Sequence, residues 1–148
     1  MAWFEKYLYI KKSGLRGAGK GLFTKKIIPE GKCITEYKGR IRTWKQSLDE
    51  EGDNVYFFYI TAKTVINPLR GKKTLAHFAN DAEGFSRHKT HRNNAEYITD
   101  GSRCFIYSTR PIARFEEIFV GYGKDYWKVR KEIINESKTK KKNLPAIA

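Results

Sequence analysis

Cysteine is nearly absent from the 148-residue chain, Cys33 and Cys104 being the only two. A pair of isolated thiols supports neither a disulfide framework nor a four-thiolate zinc site. His88 and His91 lie three apart, but the cysteines lack the paired local spacing of metal sites, so no metal is expected. Long apolar runs are missing too. The longest, residues 55–60, is far too short to span a bilayer. Charge at Glu5 and Lys6 interrupts the N-terminus, so no signal peptide is read and an intracellular protein is expected. Acids are also in short supply. Sixteen Asp and Glu stand against thirty Lys and Arg, a net charge of +14. The tail from Lys138 holds four lysines and no acid, which leaves +10 on the body. That excess implies acidic or nucleic-acid partners, set against the plainer reading of a soluble basic surface.

What is present suffices for one domain. Hydrophobic residues make up 40% and charged residues 31%, a composition neither disordered nor membrane-embedded. A chain of this length buries a core without staples. Strand-like segments at 7–10, 21–24 and 33–37 are separated by the glycine-rich stretch 14–21 and by Pro29-Glu30-Gly31. Thr43 is placed to cap a short helix through Glu50. A hairpin is expected from residues 56–60 into 64–66, then strands at 95–99, 104–108 and 117–120. Residues 125–136, with Trp127, Ile133 and Ile134 as apolar positions, are expected to form a C-terminal helix. The expected fold is mainly β, with a domain over 1–137 and a basic tail over 138–148. The lysine run in that tail reads as a nuclear address or as a solubilising extension.

One motif comes close to a phosphate-binding loop. Gly14-Leu15-Arg16-Gly17-Ala18-Gly19-Lys20-Gly21 lacks the Ser or Thr that should follow the lysine, since Gly21 stands there. The residues that follow, with Ile27, Ile28 and Pro29, make a poor helix start, so no helix dipole would face the phosphates. An NTPase is therefore rejected. The glycines still allow positive φ and close backbone approach, either to a ligand or simply to close a tight loop.

Four segments in order resemble the SET-domain family of protein-lysine methyltransferases. Gly19-Lys20-Gly21-Leu22-Phe23 is similar to its Gly-x-Gly cofactor segment, and Glu36-Tyr37-x-Gly39 to its Glu-Tyr-x-Gly strand. Ala76-His77-Phe78-Ala79-Asn80-Asp81-Ala82, followed by Asn93-Asn94-Ala95-Glu96-Tyr97, resembles the Arg-Phe-Ile-Asn-His-Ser stretch and its downstream Pro-Asn. Residues 112–118 and Tyr122-Gly123 resemble the Gly-Glu-Glu-Leu segment and the tyrosine that closes the active site. Each match alone is weak, whereas four in the correct order are specific. Departures are Asp81 for His, Ala82 for Ser, Val120 for the first tyrosine of Tyr-x-Tyr, and Phe115 for a turn glycine. No cysteine cluster follows Tyr122, so the zinc-bearing post-SET element is missing. The resemblance implies several small curved sheets, a pseudoknot-like C-terminal segment, short helices and a C-terminal helix.

It also implies a chemistry. S-adenosylmethionine would be held by Gly19, Lys20, Gly21, Asn80, Asp81, Tyr122 and Trp127, leaving S-adenosylhomocysteine. Asn80 both gives and accepts hydrogen bonds. Backbone around Asp81 would read the adenine edge, and Trp127 would stack on it, unless that tryptophan only anchors the last helix. Free lysine has a pKa near 10.4, so an apolar channel must favour the neutral amine. Tyr122 is the expected catalytic hydroxyl, Tyr37 shares the catalytic channel, and Tyr56 shapes the substrate groove. His77 is expected to be structural.

The substrate implied is a lysine-bearing protein, foremost a histone tail, with nuclear location if the source is eukaryotic. Asp49, Glu50, Glu51 and Asp53 are expected to offer a basic tail one acidic groove wall, while the positive surface faces DNA. A homodimer could complete the groove. The competing readings are a non-catalytic SET-like chromatin or protein-binding module and a nucleic-acid binder resting on charge alone. The latter lacks the aromatic-basic motif of an RNA-recognition sheet.

Overall fold

The computed structural model describes residues 4–51, 56–83 and 91–123, with three small antiparallel sheets of three strands each. In the first, β1 (Leu8–Lys12) pairs with β2 (Lys20–Thr24) in the register Tyr9 opposite Phe23. The second contains β3 (Cys33–Glu36), and the third β4 (Arg40–Arg42). A short helix α1 (Trp44–Glu51) follows, then the hairpin β5 (Phe58–Thr61) and β6 (Thr64–Asn67). The last strands are β7 (Ala95–Asp100), β8 (Arg103–Ser108) and β9 (Glu117–Ile118). Strand orders are β1-β2-β9, β3-β8-β7 and β4-β6-β5. Among the described residues no helix is long and apolar enough to cross a membrane.

Local sequence accounts for most of these elements. The Thr43 hydroxyl accepts from the Gln46 amide, and the Gln46 side chain accepts from the Thr43 amide, both at 3.1 Å, a reciprocal cap that starts α1. β8 alternates inward Cys104, Ile106 and Ser108 with less buried neighbours, as a half-buried strand must. β4 was not expected from sequence. Its Arg40-Ile41-Arg42 has no inward apolar position, and Ile41 is exposed; the ladder to β6 makes it a strand. The expected C-terminal helix and the tail lie outside the described residues.

The apolar core joins Leu8, Leu22, Ile28, Ile34, Ile66, Ile106, Ile112, Ile118 and Val120. Residues 117–120 pass through it as a thread. On one side Ile118 pairs with Leu22 of β2. On the other, the Phe119 carbonyl accepts from the Asn94 and Ala95 amides at 3.0 Å, and the Val120 amide donates to the Asn80 carbonyl at 2.9 Å. This is the arrangement expected of the pseudoknot-like C-terminal segment. Asn94, fully buried, clamps it: its amide nitrogen donates to the Glu117 carbonyl (2.9 Å) and its oxygen accepts from the Phe119 amide (2.8 Å).

Two departures from the family pattern now have a local explanation. Val120 is fully buried in the core, where a branched aliphatic packs without a hydroxyl to satisfy. Phe115 occupies a left-handed turn with φ 67° while 61% exposed, so a bulky side chain bears the strain a glycine would avoid.

Replacing Phe115 with glycine is expected to stabilise the protein by about 1 kcal/mol, the cost of a left-handed non-glycine residue. Asn94→Ala should cost roughly 3 kcal/mol, because two backbone groups of the buried thread lose their partner. Urea unfolding midpoints at constant m-value check both.

Candidate functional site

The glycine-rich connection between β1 and β2 is a closed loop rather than a phosphate cradle, and a strand follows it where a nucleotide-binding loop needs a helix. The Ser13 amide donates to the Gly19 carbonyl at 2.8 Å. Gly19 takes φ 72°, and a Cβ there would meet nothing within 4 Å. Gly21 serves a different end. A Cβ on Gly21 would collide with the Glu117 carboxylate, which accepts from the Ser13 hydroxyl (2.6 Å) and the Gly14 amide (2.8 Å). The buried thread therefore braces the loop from within, a role for Glu117 that sequence reading missed. Lys20 projects its side chain to solvent, while its carbonyl accepts from the Asn80 side-chain amide at 2.9 Å.

Asn80 thus joins a short 3-10 turn (Ala76–Phe78) and its exit to the glycine loop. The next residue ties the same turn to the C-terminal tyrosine. One Asp81 oxygen accepts from the Tyr122 amide at 3.0 Å. The other accepts from the Glu83 amide (2.8 Å) and the Asn93 side chain (2.9 Å), while Asn93 accepts from the Ala82 amide at 2.8 Å. The carboxylate that stands in place of histidine organises the chain around it.

Tyr122 donates its hydroxyl to the Ala79 carbonyl at 2.7 Å, so the phenol is held one residue before Asn80. Its ring stacks against Tyr97 at 6.4 Å, and Tyr97 meets Phe58 at 4.7 Å and Tyr37 at 6.2 Å. Tyr37 is buried and donates its hydroxyl to the Tyr56 carbonyl. Four rings from four segments therefore line one region. Tyr97 was not singled out from sequence, although β7 alternation puts it on the same side as buried Ala95. Tyr56 contributes mainly its backbone here, its exposed ring standing edge-on to His77 at 5.3 Å.

Burial lowers the His77 pKa and keeps the imidazole neutral; its buried Nδ1 has no partner among the described residues. Burial likewise raises the Cys33 thiol and pushes Cys104 up to about 12, so neither is a ready nucleophile. Among the described residues no group of three or more His, Cys, Asp or Glu is placed to hold a metal.

Of the acidic wall expected at Asp49, Glu50, Glu51 and Asp53, one member is taken up by other charges. Glu50 is paired with Arg40 at 2.7 Å and with Arg42 at 3.6 Å, so its charge is spent within the third sheet and α1. Asp49 is exposed, whereas Asp53 and the Glu51 side chain lie outside what is described. Trp127 and His88 also lie outside the described residues.

A family model described as the SET domain matches residues 19–123. A solved structure of ctPRC2, in an autoinhibited conformation bound to S-adenosylmethionine, shares the fold at TM-score 0.63 and 20% identity. The likeness covers 88% of this chain and 17% of that one, so this chain spans about a sixth of its length. No curated protein matches the sequence.

Replacing Asp81 with alanine is expected to cost roughly 2 kcal/mol, since hydrogen bonds to a charged acceptor are worth more than neutral ones. Asp81→Asn, which keeps an acceptor, should lose less. Thermal and urea unfolding of both variants measure the difference.

Proposed function

The chain belongs to the SET-domain family, and on that premise we propose that it transfers a methyl group from S-adenosylmethionine to a lysine side chain of a protein. One observation carries the reading. The phenol of Tyr122 is fixed on the Ala79 carbonyl, immediately before an asparagine whose amide is tied to the glycine loop. In this reading the donor-binding edge and the aromatic cluster meet at residues 79–80.

The residues present fit the donor. Asn80 spends its amide nitrogen on Lys20, while its carbonyl oxygen has no protein partner among the described residues, a suitable acceptor for an ammonium. Gly19 leaves open space above its backbone. Gly19, Lys20, Asn80 and the backbone at Asp81 would hold the cofactor, with Trp127 as a further proposed wall; Gly21 instead admits Glu117. When bound, the cofactor supplies an electrophilic methyl on a sulfonium.

The protein's part is to deliver a neutral amine in line. Tyr37, Phe58, Tyr97 and Tyr122 surround a substrate lysine with rings, which disfavours its ammonium form and lowers its pKa. Both Tyr37 and Tyr122 donate their own protons to backbone carbonyls. Their oxygens are thereby oriented as acceptors for an amine N–H, which points the nitrogen lone pair at the methyl. Tyr122, beside Asn80, is the catalytic hydroxyl in this reading, and Tyr37 the second wall of the channel. A histone tail is the first substrate to try, its lysines being flanked by small and basic residues that reach a narrow channel.

Calorimetry with S-adenosylmethionine should show binding, and the absence of heat at about millimolar ligand would leave only a non-catalytic module. With radiolabelled cofactor and mixed histones, Tyr122→Phe is expected to lower kcat about a hundredfold, the scale of a misplaced reacting group, with cofactor affinity nearly unchanged. Undiminished turnover would remove Tyr122 from the reaction.

A further inference from the structure

The outer face of the β1–β2 pair carries charge that methyl transfer does not use. Leu8, Ile10, Leu22 and Thr24 turn toward the interior, and the two-residue period puts Tyr9, Lys11, Phe23 and Lys25 on the other face, where Phe23 is itself buried beneath its neighbours. The Lys25 amide donates to the Tyr7 carbonyl at 2.8 Å, which extends the pairing past the strand end. On this face each lysine lies over a ring. Lys11 sits 4.9 Å from the Phe23 centroid, Lys25 5.6 Å from Tyr9, and Lys26 and Lys6 4.8 and 5.2 Å from Tyr7. The stems cover aromatic surface and hold the ammonium groups in solvent.

None of these four lysines has a carboxylate partner among the described residues. The acids on or beside the sheet are committed elsewhere: Glu5 to Lys38, Glu116 to Arg110, and Glu117 to Ser13 and Gly14. A hollow closes each end of the face. One, of about 350 Å³, is basic and lined by Phe4, Lys6, Tyr7, Lys26, Lys32 and Cys33. The other, of about 330 Å³, is mixed, with Lys11, Lys12, Arg92 and Arg110 beside Glu116 and Glu117. From Leu8 to Lys12 the strand advances about 13 Å. That is the axial length of about four base pairs.

We propose that this face docks the phosphate backbone of duplex nucleic acid. A row of cations without a carboxylate partner among the described residues matches a row of phosphates. The rings already lie beneath lysine stems, so they offer no open platform on which unpaired bases could stack. That favours a duplex read through its backbone over a single strand. The proposal stands on the β1–β2 register and charge alone and does not depend on the methyl-transfer reading.

The test is fluorescence anisotropy of the full chain with a labelled duplex of about 20 base pairs, titrated between about 50 and 200 mM salt. Wild type should bind with a steep logarithmic salt slope of about −4 or steeper. The triple variant K11Q/K25Q/K26Q is expected to flatten that slope by nearly three, at about 0.9 per phosphate contact. A control triple on other elements, K45Q/K63Q/K73Q, should leave it within about one of wild type. Parallel DNA and RNA duplexes distinguish the two sources of the same phosphates. Melting temperatures verify folding, and if the first triple melts early, K25Q alone should still flatten the slope by about one. Unchanged slope in the first triple, equal loss in the control, or no binding at the lowest salt overturns the proposal. So does loss of binding to anionic phospholipid vesicles alone, which would make the face a membrane surface.

Discussion

Residues 117–120 are buried throughout, and every backbone group they carry into the interior must find a partner there. β2 supplies partners on one side; Asn80, Asn94 and Ala95 supply them on the other. A strand alone could not, because the thread leaves β2 after two paired residues and changes neighbours. The buried Asn94 bridges that change, its side chain replacing the ladder bonds the backbone gives up. Because the thread is fixed at both edges, Tyr122 emerges at a defined point two residues later. Asn80 and the glycine loop are fixed by the same four residues, one through the Val120 amide and the other through the Glu117 carboxylate. Asn80, the glycine loop and the phenol are therefore held by a single constraint rather than by independent ones.

That constraint explains how the family motif tolerates its substitutions here. Asp81 loses an imidazole but gains an acceptor with four lone-pair sites, enough to take the Tyr122 amide, the Glu83 amide and Asn93 together. Asn93 returns a bond to Ala82, so the 81–83 turn and the approach to β7 lock reciprocally. Val120 gives up a phenol at a position the core covers completely. Both changes leave untouched the two groups that face the proposed chemistry, the Asn80 amide and the Tyr122 hydroxyl. Phe115 is different. Its left-handed turn keeps the shape the motif needs, with a strained residue in place of an unstrained one.

The sequence made the strands, the Thr43 helix start and the order of the motifs readable, because each rests on local periodicity or turn chemistry. Tyr37, Asn80 and Tyr122 were readable as members of ordered motifs and are brought to one region. What stayed hidden depends on partners distant in sequence. β4 is polar on both sides and exists through its ladder to β6. Glu117 looks like one of two equivalent acids, yet it turns inward onto the glycine loop while Glu116 pairs with Arg110. The acidic segment at 49–53 looked like a free groove wall until Arg40 and Arg42, on another element, took up Glu50. Tyr97 had a strand-alternation signal, but nine tyrosines share such signals and only the fold picks one.

With Glu50 neutralised, the proposed acceptance of a lysine by a chain of net charge +14 needs another physical basis. Exposed charges act over about 10 Å at 0.1 M salt, so what matters is where the cations stand relative to the channel. The lysine row lies on the outer face of the first sheet, whereas the ring-lined channel is built by Tyr37, the β5 and β7 aromatics and Tyr122. Glu36 beside Tyr37 has its pKa lowered from the ordinary carboxylate value by its hydrogen bonds to Arg103, so it too is neutralised by an arginine and adds little free negative charge there. In the proposed reaction the attraction for an alkyl amine would come from aromatic faces, which bind the cation on entry and favour its neutral form once water is excluded. The basic surface and the proposed basic substrate are compatible because they use different elements: the lysines stand on β1, β2 and their flanks, and the rings on Tyr37, β5, β7 and Tyr122.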